Sequence, residues 1–150
     1  MKLVPWPGHA DDMRCINVQA MQIGQASETI LALPWDNEFL RIYSRTLKLG
    51  EKPLAMLGVV VLQEGYGHGW ALLSEEVLEY PKELTRHARL LIEKGRSIFS
   101  LTRMDITVDC RHHAAYRWGK CLGFEQVGTT RFETLNGEDA YLMTRTWNEL

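Results

Sequence analysis

The period of the apolar positions changes several times along this chain, and each change marks an element boundary. The most informative run is Met104–Gly128. Ile106 and Val108 alternate with Thr107 and Asp109, the two-residue repeat of a strand with unlike faces. From about His112 the repeat lengthens. Ala115, Trp118 and Leu122 fall at i, i+3 and i+7, with Cys121 beside them on one helical stripe. Gly123 follows the stripe and can take the left-handed conformation that stops a helix, because it has no Cβ to clash. Phe124 then folds back onto the helix end, and a further strand begins.

The rest of the chain reads in the same way. Lys2–Trp6 makes a short first strand, closed by Pro5, Pro7 and Gly8. Asp11 or Asp12 caps a helix whose apolar face is Met13, Ile16, Ala20 and Ile23, with Gly24 at its end. Ser27–Leu33 is ambiguous and Pro34 breaks it. Asp36 caps a second helix bearing Phe39, Leu40 and Tyr43. Ser44–Leu49 continues that helical pattern, yet Gly50-Glu51-Lys52-Pro53 is turn chemistry and Ala55–Leu62 beyond it is apolar and β-branched. A hairpin, with Ser44–Leu49 as its first strand, is therefore expected. The near-continuous apolar run Ala55–Leu62 is a strand covered on both faces. Gly65, Gly67 and Gly69 punctuate a flexible loop before a returning strand, Trp70–Leu73. No helix opens after them, so they are no phosphate-binding signature. A linker from Glu75 leads to a helix starting near Pro81, a favoured first-turn residue. Its buried stripe is Leu84, His87 or Ala88, Leu91 and Ile92, and it ends at Gly95 or runs on towards Leu101. Glu125–Glu133 is a strand, Asn136-Gly137 a tight turn, and Ala140–Trp147 the last strand. Strand, two helices, three strands, helix, strand, helix, two strands is an α+β order. It predicts a twisted mixed sheet of about six to seven strands with helices on both faces, a three-layer arrangement.

Composition narrows the classes. The chain has 150 residues, 45% hydrophobic and 24% charged, which is one domain's worth of globular material, 1–150. A net charge of −2 gives no basic field to attract nucleic acid or an anionic membrane. No run approaches the roughly 18 apolar residues that span a bilayer. Three cysteines without ligand spacing argue against a disulfide framework and for a reducing compartment. Met1–Gly8 lacks the apolar segment of a signal peptide, so a soluble protein made in the cytoplasm is expected. Cys110, His112 and His113 lie too close along the chain for a zinc set, so no metal is expected. Cys110 and Cys121 carry no nucleophile motif. The basic run Arg86–Arg96, broken by Glu93, reads as a solvated helix face. Trp6, Trp35 and Trp147 fall near element ends, where they fill core or anchor a partner.

Two sets of residues carry a resemblance. Ala115 and Leu122-Gly123-Phe124, after a strand and a helix opening at His112, are similar to the C-terminal half of GNAT-type N-acetyltransferases, where an Asn is usual at the position of His112. Trp70-Ala71-Leu72-Leu73-Ser74, Tyr80-Pro81-Lys82 and Arg117-Trp118-Gly119-Lys120-Cys121-Leu122-Gly123-Phe124 resemble, more specifically, the short GNAT-like proteins of tailed phages, some of them internal virion proteins. The likeness covers roughly residues 50–128. It implies a GNAT-like fold, with a splay between the fourth and fifth strands near Leu73 and Asp109 where acetyl-CoA binds. It implies phage virion or host proteins as partners, and the host cytoplasm or the virion as location.

The resemblance also implies where chemistry would sit. Transfer by direct attack of an amine on the thioester needs a pyrophosphate cradle at a helix N-terminus. It also needs a strand edge for the pantetheine arm, and an acid and base poised near neutral pH. The cradle corresponds to Tyr80-Pro81-Lys82-Glu83-Leu84-Thr85. It has none of the family's glycines, Pro81 removes an amide donor, and Glu83 adds negative charge. Lys82 and Arg86 compensate in part. Cofactor contacts therefore fall to Leu72, Leu73, Lys82, Leu84, Thr85 and Arg86. The family's acid, a Tyr four residues before the Gly of Leu-Gly-Phe, is replaced by Gly119, and Tyr116 is the nearest substitute. His112 is the candidate base, with a suitable ordinary pKa. Glu64 and His68 are weaker ones. The expectation is a degenerate acetyl-CoA site with weak or no transferase activity, and the alternative is an active N-acetyltransferase.

Overall fold

The computed structural model describes residues 2–9, 11–16, 41–130 and 139–147. The chain order is β1 (Val4–Pro7), α1 (Asp12–Cys15), β2 (Ile42–Leu49), β3 (Lys52–Gln63), β4 (Tyr66–Leu73), a 3₁₀ turn (Glu76–Glu79), α2 (Pro81–Phe99), β5 (Arg103–Asp109), α3 (His113–Cys121), β6 (Glu125–Thr130) and β7 (Ala140–Thr146). The strands form one seven-stranded sheet in the order β1-β2-β3-β4-β5-β7-β6. Neighbours are antiparallel except β4 and β5, which are parallel. The expected mixed sheet is thus present. The stretch 17–40, with the remainder of the first expected helix and the second helix at Asp36–Leu40, lies outside the described residues, as does the Asn136-Gly137 turn.

β3 is an interior strand, as its apolar run predicts. Leu54 to Val61 are buried without a break, Gly58 included. A strand buried on both faces needs both covered. On one face α2 lays down Leu84, Ala88, Leu91, Ile92 and Gly95. Gly95 marks the closest approach, since a Cβ there would stand 2.7 Å from Val59 Cγ1. This is why the helix runs through Gly95 to Phe99. It stops where Ser100 turns left-handed (φ 51°) and donates its amide to Arg96 O. On the other face Gly8 packs against Ser44 and Met56, and Thr46 Oγ1 donates to Asp12 Oδ2 of α1 at 2.7 Å. Among the described residues no helix is long and apolar enough to cross a membrane.

Several expectations need correction. Tyr43 belongs to β2, paired with Val59, and not to a helix. The first helix closes at Cys15, and Ile16 is extended. Gly67 and Gly69 sit inside β4, not in a loop. Only Gly65 (φ +78°) makes the turn. The other two are glycines because a Cβ would crowd Leu101 and Val59 at 3.0 Å, or Ile106 at 3.1 Å. Cys121 is exposed. Gly119, buried against Met143 and Ile106, takes the place on the buried face of α3 that Cys121 was expected to hold. Gly123 (φ +95°) ends α3 as expected, and Phe124 beyond it is 2% exposed.

Candidate cofactor cleft

β4 and β5 share a short ladder. Tyr66 pairs with Arg103, Gly67 with Met104 and His68 with Asp105, and the register ends there. β4 runs on to Leu73 and β5 to Asp109. No β4–β5 pair follows that rung, and the unpaired stretch between Gly69–Leu73 and Ile106–Asp109 is where the resemblance implies a cofactor cleft. Ser74 closes β4 and caps the turn, its Oγ accepting from Val77 N at 3.1 Å. Leu72 and Leu73 are 0% and 7% exposed, so their side chains fill core and only backbone can face a ligand.

α2 opens at Pro81, with Tyr80 as N-cap and no side-chain cap. Pro81 has no N–H to offer, and Leu84 N is committed to Tyr80 O at 2.9 Å. Leu84 itself is 4% exposed and packs in the core. Glu83 does not lie free beside the helix start. Its Oε1 accepts from Leu3 N at 3.0 Å. Lys82, Thr85 and Arg86 come together, with Arg89, Leu90 and Glu93, along a surface groove of about 560 Å³. Trp118 Nε1 of α3 donates to Thr85 Oγ1 at 3.1 Å. Arg89 donates to Cys121 O at 3.4 Å and Arg145 to Leu122 O at 3.1 Å, so cations meet the carbonyl end of α3 where the helix dipole favours them. Lys82, Arg86 and Arg89 put three cations on successive turns along this groove, with the Glu93 carboxylate at its far end, and the cations favour a phosphate-bearing ligand.

His112 follows β5 as the N-cap of α3. Its Nδ1 accepts from Ala115 N at 3.2 Å. Burial pushes its pKa below the ordinary 6.5, against the pull of the Asp109 and Glu75 carboxylates. A neutral ring with Nδ1 so occupied carries its proton on Nε2. It therefore offers a donor at Nε2, as an Asn amide would, and not a lone pair. Asp109 beside it is held ionised below the usual carboxylate range, chiefly by hydrogen bonds from the Arg111 side chain. Arg111 Nη2 lies 2.9 Å from Oδ2.

Tyr116 is not brought to the cleft. Its hydroxyl donates to Gln126 Oε1 of β6 at 3.1 Å, and its ring meets Tyr141 of β7 edge-on at 5.2 Å. β6 lies two strands beyond β5. At Gly119 a Cβ would already stand 3.1 Å from Met143 Sδ and 3.2 Å from Ile106 Cδ1. Any side chain there would have to push these neighbours back by a few tenths of an ångström at its Cβ alone. Glu64 and His68 fall in the β3–β4 turn and early in β4, at the closed end of the cleft.

Sequence reasoning missed three groups. Arg89 is exposed, as a solvated face predicts, and it also lines the groove. The buried Asp109 pairs with the exposed Arg111. Asp105, 1% exposed, gathers Arg103, Tyr66 and Thr144. The available signal was spacing, since Arg103-x-Asp105 places both side chains on one face of a strand.

Solved structures with the same architecture exist. A chimera of the Vibrio cholerae spermidine N-acetyltransferase SpeG and hSSAT superposes with a TM-score of 0.74 at 10% identity, over 97% of this chain and 96% of that one. Ard1 from Thermoplasma volcanium gives 0.73 at 12% identity, over 99% and 100%. The ribosomal-protein-S18-alanine N-acetyltransferase from Escherichia coli gives 0.68 at 16%, over 99% and 96%. The fold is that of the GNAT N-acetyltransferases. No family model and no curated protein matches the sequence. At 10–16% identity the likeness speaks for fold alone.

Proposed function

We propose that this chain is a single-domain, GNAT-like phage protein, an internal virion or accessory component, with a degenerate acetyl-CoA site and weak or no transferase activity. The observation that supports the weak-activity reading is the crowding at Gly119. A Cβ there would already press on Met143 and Ile106, and the hydroxyl of Tyr116 is engaged with Gln126. The helix start gives the same indication, since Pro81 offers no amide and no glycine admits a phosphate to the backbone. Acetyl-CoA, when bound, supplies an activated acyl thioester. The residues placed to meet it are Lys82, Thr85 and Arg86, with Arg89, for its phosphates, and the backbone of Leu72 and Leu73 for its arm. His112 Nε2–H is a donor to an acyl or amide oxygen, but a neutral imidazole N–H is too weak an acid to protonate a leaving thiolate. Phage virion or host proteins as partners, and a host-cytoplasmic or packaged location, rest on the motifs Trp70–Ser74, Tyr80–Lys82 and Arg117–Phe124.

An active N-acetyltransferase is the second reading. The short β4–β5 ladder and the basic groove favour it. Calorimetric titration with acetyl-CoA, followed by a thiol-release assay over a panel of amines, separates the two. Millimolar or weaker binding without amine-dependent thiol release supports the first, and micromolar binding with turnover supports the second. Mass spectrometry of purified phage particles tests packaging, and absence from particles leaves only an accessory role in the host.

A further inference from the structure

The last rung of the β4–β5 ladder, His68↔Asp105, coincides with a clasp around the buried Asp105 carboxylate on the sheet face opposite α2 and α3. Asp105 Oδ2 accepts from Tyr66 Oη of β4 at 2.6 Å and from Arg103 Nη2 at 2.7 Å. Oδ1 accepts from Arg103 Nε at 3.0 Å and from Thr144 Oγ1 of β7. The Arg103 guanidinium also lies 4.8 Å over the Tyr66 ring. One carboxylate thus ties three neighbouring strands together. Its two oxygens take four donors, which leaves it no free lone pair aimed at a substrate. It is therefore no candidate base.

We propose that Asp105 is a positioning residue that sets where β4 and β5 part, and so how deep the cleft runs. A parallel ladder of three pairs that ends in a divergence is prone to fray, because its last rung has no next rung to support it. A buried carboxylate holds its geometry firmly, since loosening any donor leaves a charge unpaired in the interior. Joined up to His68, β4 leaves Gly69–Leu73 for the cleft, about 16 Å at the rise of a strand. Asp109 supplies the contrast. It is equally buried, but its bonds from Arg111 are local and cross to no other strand. The inference does not depend on whether anything is transferred in the cleft.

Amide hydrogen exchange read by mass spectrometry on the full chain tests it. Asp105→Asn should speed exchange over 66–68 and 103–105 at least tenfold more than over the β2–β3 ladder, and Asp109→Asn should leave 66–68 unchanged. Tyr66→Phe removes one donor and keeps the ion pair, so it should fold and still loosen 66–68. Thr144→Val, which acts from β7, should loosen them less. Uniform acceleration across the sheet in Asp105→Asn would make Asp105 a packing residue only. Unchanged exchange at 66–68 in Tyr66→Phe, or equal loosening by Asp109→Asn, would also overturn the proposal. Should Asp105→Asn not fold, the Tyr66→Phe and Thr144→Val comparison decides alone.

Discussion

Gly119→Tyr restores the side chain that the family uses as an acid, and the structure says it should fail. A Cβ at Gly119 meets Met143 Sδ at 3.1 Å and Cε at 3.2 Å, with Ile106 Cδ1 also at 3.2 Å, before any ring atom is placed. Met143 is fully buried, so it has no solvent to move into. Forcing a ring into a filled core costs about 1–3 kcal/mol. Replacing glycine within a helix returns roughly 0.5 kcal/mol. The net loss is then about 0.5–2.5 kcal/mol, or roughly 2–4 °C in Tm per kcal/mol for a chain of this size. Gly119→Ala is the calibrating variant. Its Cβ needs shifts of only a few tenths of an ångström from a flexible Met, and its gain of about 1 kcal/mol in helix propensity nearly cancels the cost. Urea denaturation of the three proteins measures stability, and thiol release from acetyl-CoA measures chemistry. Adding Met143→Ala to Gly119→Tyr should cost less than the sum of the two changes, because the ring fills the space that the first vacates. A Gly119→Tyr protein as stable as the parent, and newly active, would refute the reasoning.

Other predictions follow from the same geometry. The depressed pKa of His112 means that the unfolded chain binds its proton first, so stability should drop as pH falls through 6.5. His112→Asn, which keeps the N-cap, should flatten that part of the curve; an unchanged slope would contradict the assignment. Trp118→Phe removes the donor to Thr85 Oγ1 and should cost about 1 kcal/mol in urea denaturation, with Thr85→Val and the double variant adding little further. Gly95→Ala places a Cβ 2.7 Å from the stiff, fully buried Val59. It should destabilise by about 0–2 kcal/mol despite better helix propensity, and a clear gain in thermal unfolding would show that α2 stands further from β3.

Much of the fold was legible because local chemistry and burial agree in it. The Ala55–Leu62 run, Pro81 at a helix start and Gly123 at a helix end each act within a few residues, and the structure keeps all three. Contacts that join distant parts of the chain were not legible. Gly67 and Gly69 look like loop residues by composition, yet they are strand residues kept small by Leu101, Val59 and Ile106. Tyr43 fits a helical period, but pairing with β3 decides its state. Cys121 fell one position off the buried face, a small phase error on a short helix. In the cleft, Lys82, Thr85 and Arg86 could be placed together from one helix. The position of Tyr116 over β6, the turning of Glu83 towards Leu3 and the clasp around Asp105 each depend on residues from other elements.

The most direct test is an isothermal titration of the full chain with acetyl-CoA, with thermal unfolding followed alongside. The account predicts binding no tighter than millimolar and no stabilisation at micromolar ligand. A micromolar dissociation constant, with the gain of about 2.7 kcal/mol expected at a hundredfold excess, would contradict it.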